Sequence, residues 1–398
     1  MHIRVNIPQW GMAEYLNGIK AVFSTDSGYF IKELLSEVRS FCGLENVYLV
    51  SSARYGLMLA IKHLELVGKH IAVPGYVCPD ILLAIECAGA KPVAIDVSPG
   101  SICFSINHLT MALERNEIDG ILAPNSYGLS QDIESLSQLG IPVIEDAAYQ
   151  AGISSGPPNQ PYVLRTEAKV WSFNFKALTS AGGGVLFTSG ELACPFLYDM
   201  RRANFNELKL FINRAIRSIF KCHIPKFLPG ATIPQLDQKN EMREDAQRIE
   251  EKSISNLQAA VALAQWKNRD RIYDCQRRNV AHLKQVISHC KAVDILPAKY
   301  DELTPHVLPL LLRVSGDEAR AAQYRFRQIL YSHSVQTKPI YPVVLGTPDK
   351  LPNACELADR LLLIPCNESL SASQITLVGQ AIQNASEIIM EEFGEAVN

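Results

Sequence analysis

Residues 141–148 read Ile-Pro-Val-Ile-Glu-Asp-Ala-Ala, and residues 170–187 read Val-Trp-Ser-Phe-Asn-Phe-Lys-Ala-Leu-Thr-Ser-Ala-Gly-Gly-Gly-Val-Leu-Phe. The first stretch is an apolar strand closed by a carboxylate, Asp146, with small residues after it. The second sets Lys176 between two β-rich runs, just ahead of glycines 182–184. Taken singly, each charge reads as a solvated surface group. Together they suit a cofactor that needs an amine to form an imine and an acid to keep a ring nitrogen protonated. That is the chemistry of pyridoxal phosphate (PLP). Lys169 is a competing amine, but it precedes the Trp171 strand and lacks the glycine run.

Outward from these stretches, residues 47–190 alternate β-rich runs with helical ones, the pattern of βαβ units and a largely parallel sheet. Strands are expected at 47–52, 71–74, 92–97 and 120–124. Helices are expected from Tyr55, over 80–88, around 108–114 and over 133–139. Ligands of such sheets sit at the carboxyl ends of the strands, where Ser51-Ser52, Pro74-Gly75-Tyr76, Asn125–Gly128 and Asp146 fall. The segment Ser52–Tyr55, with Ala53 and Arg54, opens a helix whose free N–H groups suit a phosphate. Arg54 is either a bidentate phosphate contact or a surface arginine.

The rest of the chain is less pointed. Helix 208–221 is basic and amphipathic and ends at prolines 225, 229 and 234. A dimer or lid helix is the preferred reading, and docking to a membrane surface the alternative. A long helix is expected from Ser255 to about Ile287, followed from Val293 by a smaller α+β unit. With 398 residues, 47% hydrophobic and 20% charged, the chain is long enough for two or three domains. A net charge of −3 gives no reason to propose nucleic acid. Ten scattered cysteines show no metal-like spacing, so no metal site is expected. With no signal-peptide pattern and no transmembrane run, a cytoplasmic protein is expected.

The order of motifs resembles the DegT/DnrJ/StrS family of PLP-dependent aminotransferases from about Phe30 to Ile382. Four segments carry it: Ser51–Ala60; Ile71–Tyr76 with Ala88–Asp96; Ile144–Ala148 with Ser172, Lys176 and Gly182–Gly184; and Leu257–Trp266 with Arg360–Pro365. The resemblance implies a fold-type-I PLP-dependent transferase of the α/β class. Its large αβα domain, with a mainly parallel sheet, spans 30–250 after an N-terminal segment 1–29, with a variable insertion at 204–245. A long connecting helix and a smaller α+β C-terminal domain follow over 251–398. A homodimer is implied.

Lys176 is then the imine-forming lysine and, uncharged, the proton shuttle, which asks for a lysine pKa lowered by burial and neighbouring charge. Asp146 pairs with the pyridinium nitrogen. Cofactor contacts are expected from Ala53, Arg54, Tyr55, Tyr76, Cys78, Tyr149 and Ser172. Ser172 stands four positions before the lysine where the family places serine five before it. Cys78 occupies a slot the family fills with Phe or Trp, leaving Tyr76 or Tyr149 to cover the ring. Tyr149 takes a position that often holds Gln or His near the cofactor O3′, or is a core tyrosine. Glu251, where the family often has Asn reaching the phosphate, is expected to play no such part.

The expected reaction moves an amino group from an amino acid, glutamate foremost, to a keto sugar carried on a nucleotide. Alternatives are a non-sugar ketone or aldehyde of secondary metabolism, a PLP-binding homologue without transaminase activity, and sugar dehydration. The last uses histidine in place of the lysine, which Lys176 disfavours.

Overall fold

The computed structural model describes residue 3 and residues 10–153, 163–174, 176, 178–194, 199–220, 249, 251–296 and 307–396. Strands β1 (Val47–Val50), β2 (His70–Pro74), β3 (Lys91–Ile95), β4 (Gly120–Pro124), β5 (Val143–Asp146), β6 (Ala168–Ser172) and β7 (Gly184–Thr188) form one sheet in the order β1-β7-β6-β5-β4-β2-β3. Neighbours from β3 through β6 run parallel, and β7 is antiparallel to both β6 and β1. The expected mainly parallel sheet is therefore present, with one reversed strand.

Strand alternation builds three layers. On one face Val47, Leu49, Trp171, Val185 and Phe187 pack against α1 (Met12–Phe23) and α2 (Tyr29–Cys42), together with α8 (Asn256–Lys267). On the other, Tyr48, Val50, Val170 and Leu186 pack against α3 (Ala53–His63) and α4 (Pro79–Cys87). Helices α5 (Ile106–Glu114) and α6 (Ile133–Ser137) cover the β2–β5 part of the sheet. Every residue of α8 from Asn256 to Trp266 is buried, so this helix belongs to the core of the large sheet.

The long helix expected to reach Ile287 is two helices, α8 and α9 (Arg269–Val286), broken at Asn268 (φ −107°, ψ 6°). The Asn268 side chain accepts a 2.9 Å bond from Arg271 Nε, giving the chain a local alternative to the helix ladder. Beyond it, β8 (Val293–Ile295), β9 (Val307–Leu312) and β10 (Leu361–Pro365) form an antiparallel sheet in the order β10-β9-β8. This sheet shares a second core with α9, α10 (Ala319–Ser332) and α12 (Ala372–Phe393).

Helix α11 (Pro352–Arg360) is tied to the large sheet by Asp96, which is 3% exposed. Its carboxylate accepts from the Ala354 N–H (2.9 Å) and the Asn353 N–H (3.2 Å), and Asn353 Nδ2 returns a 3.0 Å bond to the Val97 carbonyl. A carboxylate at a helix N-terminus satisfies free donors and faces the positive end of the dipole. Asp96→Ala is expected to lower unfolding stability by about 1–3 kcal/mol, read from a denaturant midpoint.

The basic amphipathic stretch forms α7 (Phe205–Phe220), seated by Phe211 stacked on Trp10 at 5.5 Å. Arg214 is buried and bonds the Asn174 side chain, so one of the cationic groups behind the membrane alternative faces inward. Prolines 225, 229 and 234, and most of loop 153–168, lie outside the described residues.

Candidate active site at the carboxyl ends of the strands

The carboxyl ends of β1, β2, β4, β5 and β6 open on one cleft of about 670 Å³, counting its mouth. Ala53, Arg54, Cys78, Asp146, Tyr149, Ser172 and Lys176 all line it, so widely separated segments converge as the sequence implied. Asp146 ends β5 half-buried, with Oδ1 accepting from the Ala148 N–H at 3.1 Å. Burial pushes its carboxyl up to about 6, against the downward pull of the Lys176 charge.

Lys176 is half-buried, its Nζ 4.1 Å from the centroid of the Tyr149 ring. The expected lowering of its pKa is corrected. Burial does act downward, but the Tyr149 hydroxyl, the Cys78 thiol and Asp146 favour the ammonium and hold it above the ordinary lysine value.

The loop that carries Lys176 is braced from α8. Gln265 Oε1 accepts from the Thr179 N–H (3.1 Å), Ser180 Oγ donates to the Gln258 carbonyl (2.8 Å), and Gln258 Nε2 reaches the Ser51 carbonyl (3.3 Å). The glycines that follow are steric requirements. Gly182 has φ +104°, and a Cβ on Gly184 would meet the Trp171 carbonyl oxygen at 2.5 Å. Lys169 is engaged elsewhere, in a buried 3.1 Å ion pair with Glu145, and does not line the cleft.

Ser52 caps α3, its Oγ accepting from the Tyr55 N–H at 3.2 Å. The N–H groups of Ala53 and Arg54 have no acceptor among the described residues and stand at the cleft. The Arg54 guanidinium lies 3.5 Å from Asp80. Ser172 is buried beneath the cleft, with Oγ accepting from the Asn174 N–H at 3.2 Å. Cys78 caps α4, and burial raises its thiol pKa. Glu251 pairs with Lys62 at 3.2 Å and is not among the residues lining the cleft.

Two expected contacts are corrected. Tyr55, at 1% exposure, points from the third position of α3 into the core, its hydroxyl 3.9 Å from Cys194 Sγ. Tyr76 is fully buried behind the cleft, its hydroxyl 2.8 Å from the Tyr127 hydroxyl and accepting from the Tyr341 N–H at 3.1 Å. Of the two ring-covering candidates, only Tyr149 faces the cleft.

The aromatic wall includes residues that sequence reasoning missed. Tyr341 lines the cleft and stacks on Tyr127 (5.5 Å, 16°), while Tyr127 holds a left-handed backbone (φ 57°). Such a conformation in a non-glycine residue costs on the order of 1 kcal/mol and marks a site that packing over-determines. Lys338 Nζ donates 2.7 Å to the Tyr149 hydroxyl. The one available signal was the proline-flanked run Lys338-Pro-Ile-Tyr-Pro342, which suits an extended segment.

These residues fit PLP. Unclaimed N–H groups, a guanidinium and a hydroxyl suit its phosphate; Asp146 suits the ring nitrogen, and Lys176 the aldehyde. The family model described as the DegT/DnrJ/EryC1/StrS aminotransferase family matches residues 13–207 and 236–383. Among solved structures, Spr1654 of Streptococcus pneumoniae in its PLP-form superposes with TM-score 0.73 at 17% identity, over 98% of this chain and 100% of that one. Helicobacter pylori PseC, an aminotransferase of pseudoaminic acid biosynthesis, gives 0.72 at 14% identity, over 98% and 100%. DesI, solved in the presence of its TDP-sugar product, gives 0.71 at 18%, over 99% and 95%. At these identities the superpositions establish the fold. No helix among the described residues is long and apolar enough to cross a membrane. With most of its length matched by the family model and a site that fits the cofactor, the chain belongs to the DegT/DnrJ/EryC1/StrS aminotransferase family and is a PLP-dependent aminotransferase of fold type I.

Proposed function

We propose that this aminotransferase takes the amino group of glutamate and delivers it to a keto sugar carried on a nucleotide. The observation that carries the reading is the convergence of Lys176, Asp146 and the open N-terminus of α3 in one cleft. The family match and the sugar-directed neighbours PseC and DesI narrow it to sugars. Bound PLP supplies an electron sink for a substrate losing the proton from its amine-bearing carbon.

The chain's own residues do the rest. Lys176 anchors the cofactor and, once neutral, moves protons at the substrate carbon. The Asp146 carboxylate keeps the ring nitrogen protonated. Ala53, Arg54 and Ser172 hold the phosphate, and Cys78 and Tyr149 flank the ring. Asp80, Ser126 and Asn174 at the cleft wall are hydrogen-bonding partners for sugar hydroxyls. The enzyme works in the cytoplasm as a homodimer in this reading.

A donor-first half-reaction tests the substrates. Enzyme converted with glutamate, then freed of donor, should regain its original visible spectrum when a nucleotide-linked keto sugar is added. Recovery with a non-sugar ketone alone would refute the sugar assignment, and conversion by another amino acid but not glutamate would refute the donor.

A further inference from the structure

Lys338 is half-buried, and among the described residues no carboxylate pairs with it; its hydrogen-bond partner is the Tyr149 hydroxyl at 2.7 Å. Lys176, likewise without a carboxylate at ion-pair distance among the described residues, has its Nζ 4.1 Å from the centroid of the same ring, and Lys338 Nζ lies 5.0 Å from it. One phenol thus stands between two ammonium groups, one from the segment after β6 and one from the C-terminal unit. An ammonium withdrawn from water without a carboxylate is stable only if another group offers it negative charge. Among the described residues, the hydrogen-bonding group placed to do so for Lys338 is this phenol.

We propose that Tyr149 is the proton acceptor for Lys176, with Lys338 as the positioning residue that orients the phenol and stabilises its phenolate. This rests on the assignment of Lys176 as the PLP lysine. The Tyr149 O–H proton leaves to solvent first. The phenolate oxygen then takes a proton from Lys176 Nζ, one N–H bond breaking as one O–H bond forms. Ammonium plus phenolate becomes amine plus phenol with no change in oxidation state. Lys338 exchanges no proton in the step: burial pulls it below the ordinary lysine value, and the charge on Tyr149 opposes that pull. The relay gives Lys176 an acceptor within reach; the transfer is uphill between these two groups, and reaction of the neutral amine draws it forward.

Among the described residues, the groups facing Tyr149 are Lys176, Lys338, Tyr341 at 3.3 Å between hydroxyls, Tyr127 at 5.9 Å between rings, and Tyr76 farther off, while Cys78 and Asp146 bear on Lys176. Burial works to raise the Tyr149 hydroxyl, yet Lys176, then Lys338, bring it down to about 8. Tyr76, Tyr127 and Tyr341 go the opposite way, pushed up chiefly by burial. Of the four, Tyr149 is the one brought below the ordinary phenol value.

The test uses the full chain stripped of PLP, with two readouts. Ultraviolet absorbance should show one tyrosine ionising near pH 8 in the unsubstituted protein. That step should vanish in Tyr149→Phe, move up by about one pH unit or more in Lys338→Met, and return in Lys338→Arg, since a neighbouring opposite charge is worth shifts of that size. The pH midpoint for uptake of added PLP, followed by its colour, should track the tyrosine step in each variant. Ionisation of every tyrosine above about pH 9.5, or an unmoved midpoint in Lys338→Met, would overturn the relay while PLP uptake leaves the lysine assignment standing. Loss of glutamate affinity in Lys338→Met without any change in the titration would also overturn it, marking Lys338 as an anion subsite. A chain that takes up no PLP at all would overturn both.

Discussion

Lys176→Ala is expected to abolish transamination, lowering turnover by about 10⁴-fold or more, while the far-ultraviolet circular dichroism stays unchanged. The side chain is half-buried at the edge of the cleft and makes no ion pair with a carboxylate among the described residues, so its removal breaks no salt bridge. What is lost is the amine that anchors the cofactor and moves its protons. The variant should therefore bind PLP weakly and stay colourless after gel filtration. A second signature follows from the packing. With Lys176 gone, Tyr149 loses the larger of the two positive charges that bring its hydroxyl down to about 8, so its ionisation should move upward. Stopped-flow absorbance with glutamate measures the first effect and a tyrosine titration the second. Wild-type-like turnover in this variant would remove the basis for every role assigned here.

Asp146→Asn is expected to lower turnover by about 10²–10⁴-fold while leaving the protein coloured, because Lys176 still anchors the cofactor. Breaking a desolvated charge pair costs about 3–5 kcal/mol, and each 1.36 kcal/mol in a barrier is tenfold in rate. The pH behaviour separates this from a folding defect. The Asp146 carboxyl is raised from 3.8 to about 6 by burial, so its charged form is disfavoured in the fold. A raised acid in the native state binds more protons than in the unfolded chain between those values. The cofactor-free protein should gain stability as pH falls through about 6, and the asparagine variant should lack that increment. The same titration weakens PLP binding as pH falls below about 6, since a neutral acid no longer holds the ring nitrogen protonated. Equal PLP affinity at pH values on either side of that midpoint would contradict the pairing.

What the sequence disclosed and what it hid follow from contact range. Asp146 and Lys176 are legible because each ends or follows a strand whose apolar run announces it, and because the glycines after Lys176 answer local steric demands. The layered fold is legible for the same reason, alternation of short buried strands with helices. The reversal of β7 is not, since a four- or five-residue apolar run carries no direction. Tyr55 and Tyr76 fall beside cleft residues in the sequence, but side-chain direction is set by helix phase and by packing against distant chain, and both turn into the core. Lys338 meets Tyr149 across 189 positions of sequence, and Tyr341 meets it across 192, so neither contact has a local periodic signature. The break at Asn268 was hidden because the apolar pattern of α8 runs almost without pause into the amphipathic pattern of α9.

The central claim is that the cofactor is held through the amine of Lys176. Holoenzyme treated with borohydride, digested and analysed by mass spectrometry should carry one pyridoxyl-phosphate adduct, on the peptide containing residue 176. An adduct on Lys338 or Lys169 instead, or a fully loaded protein with no adduct on any lysine, would contradict it.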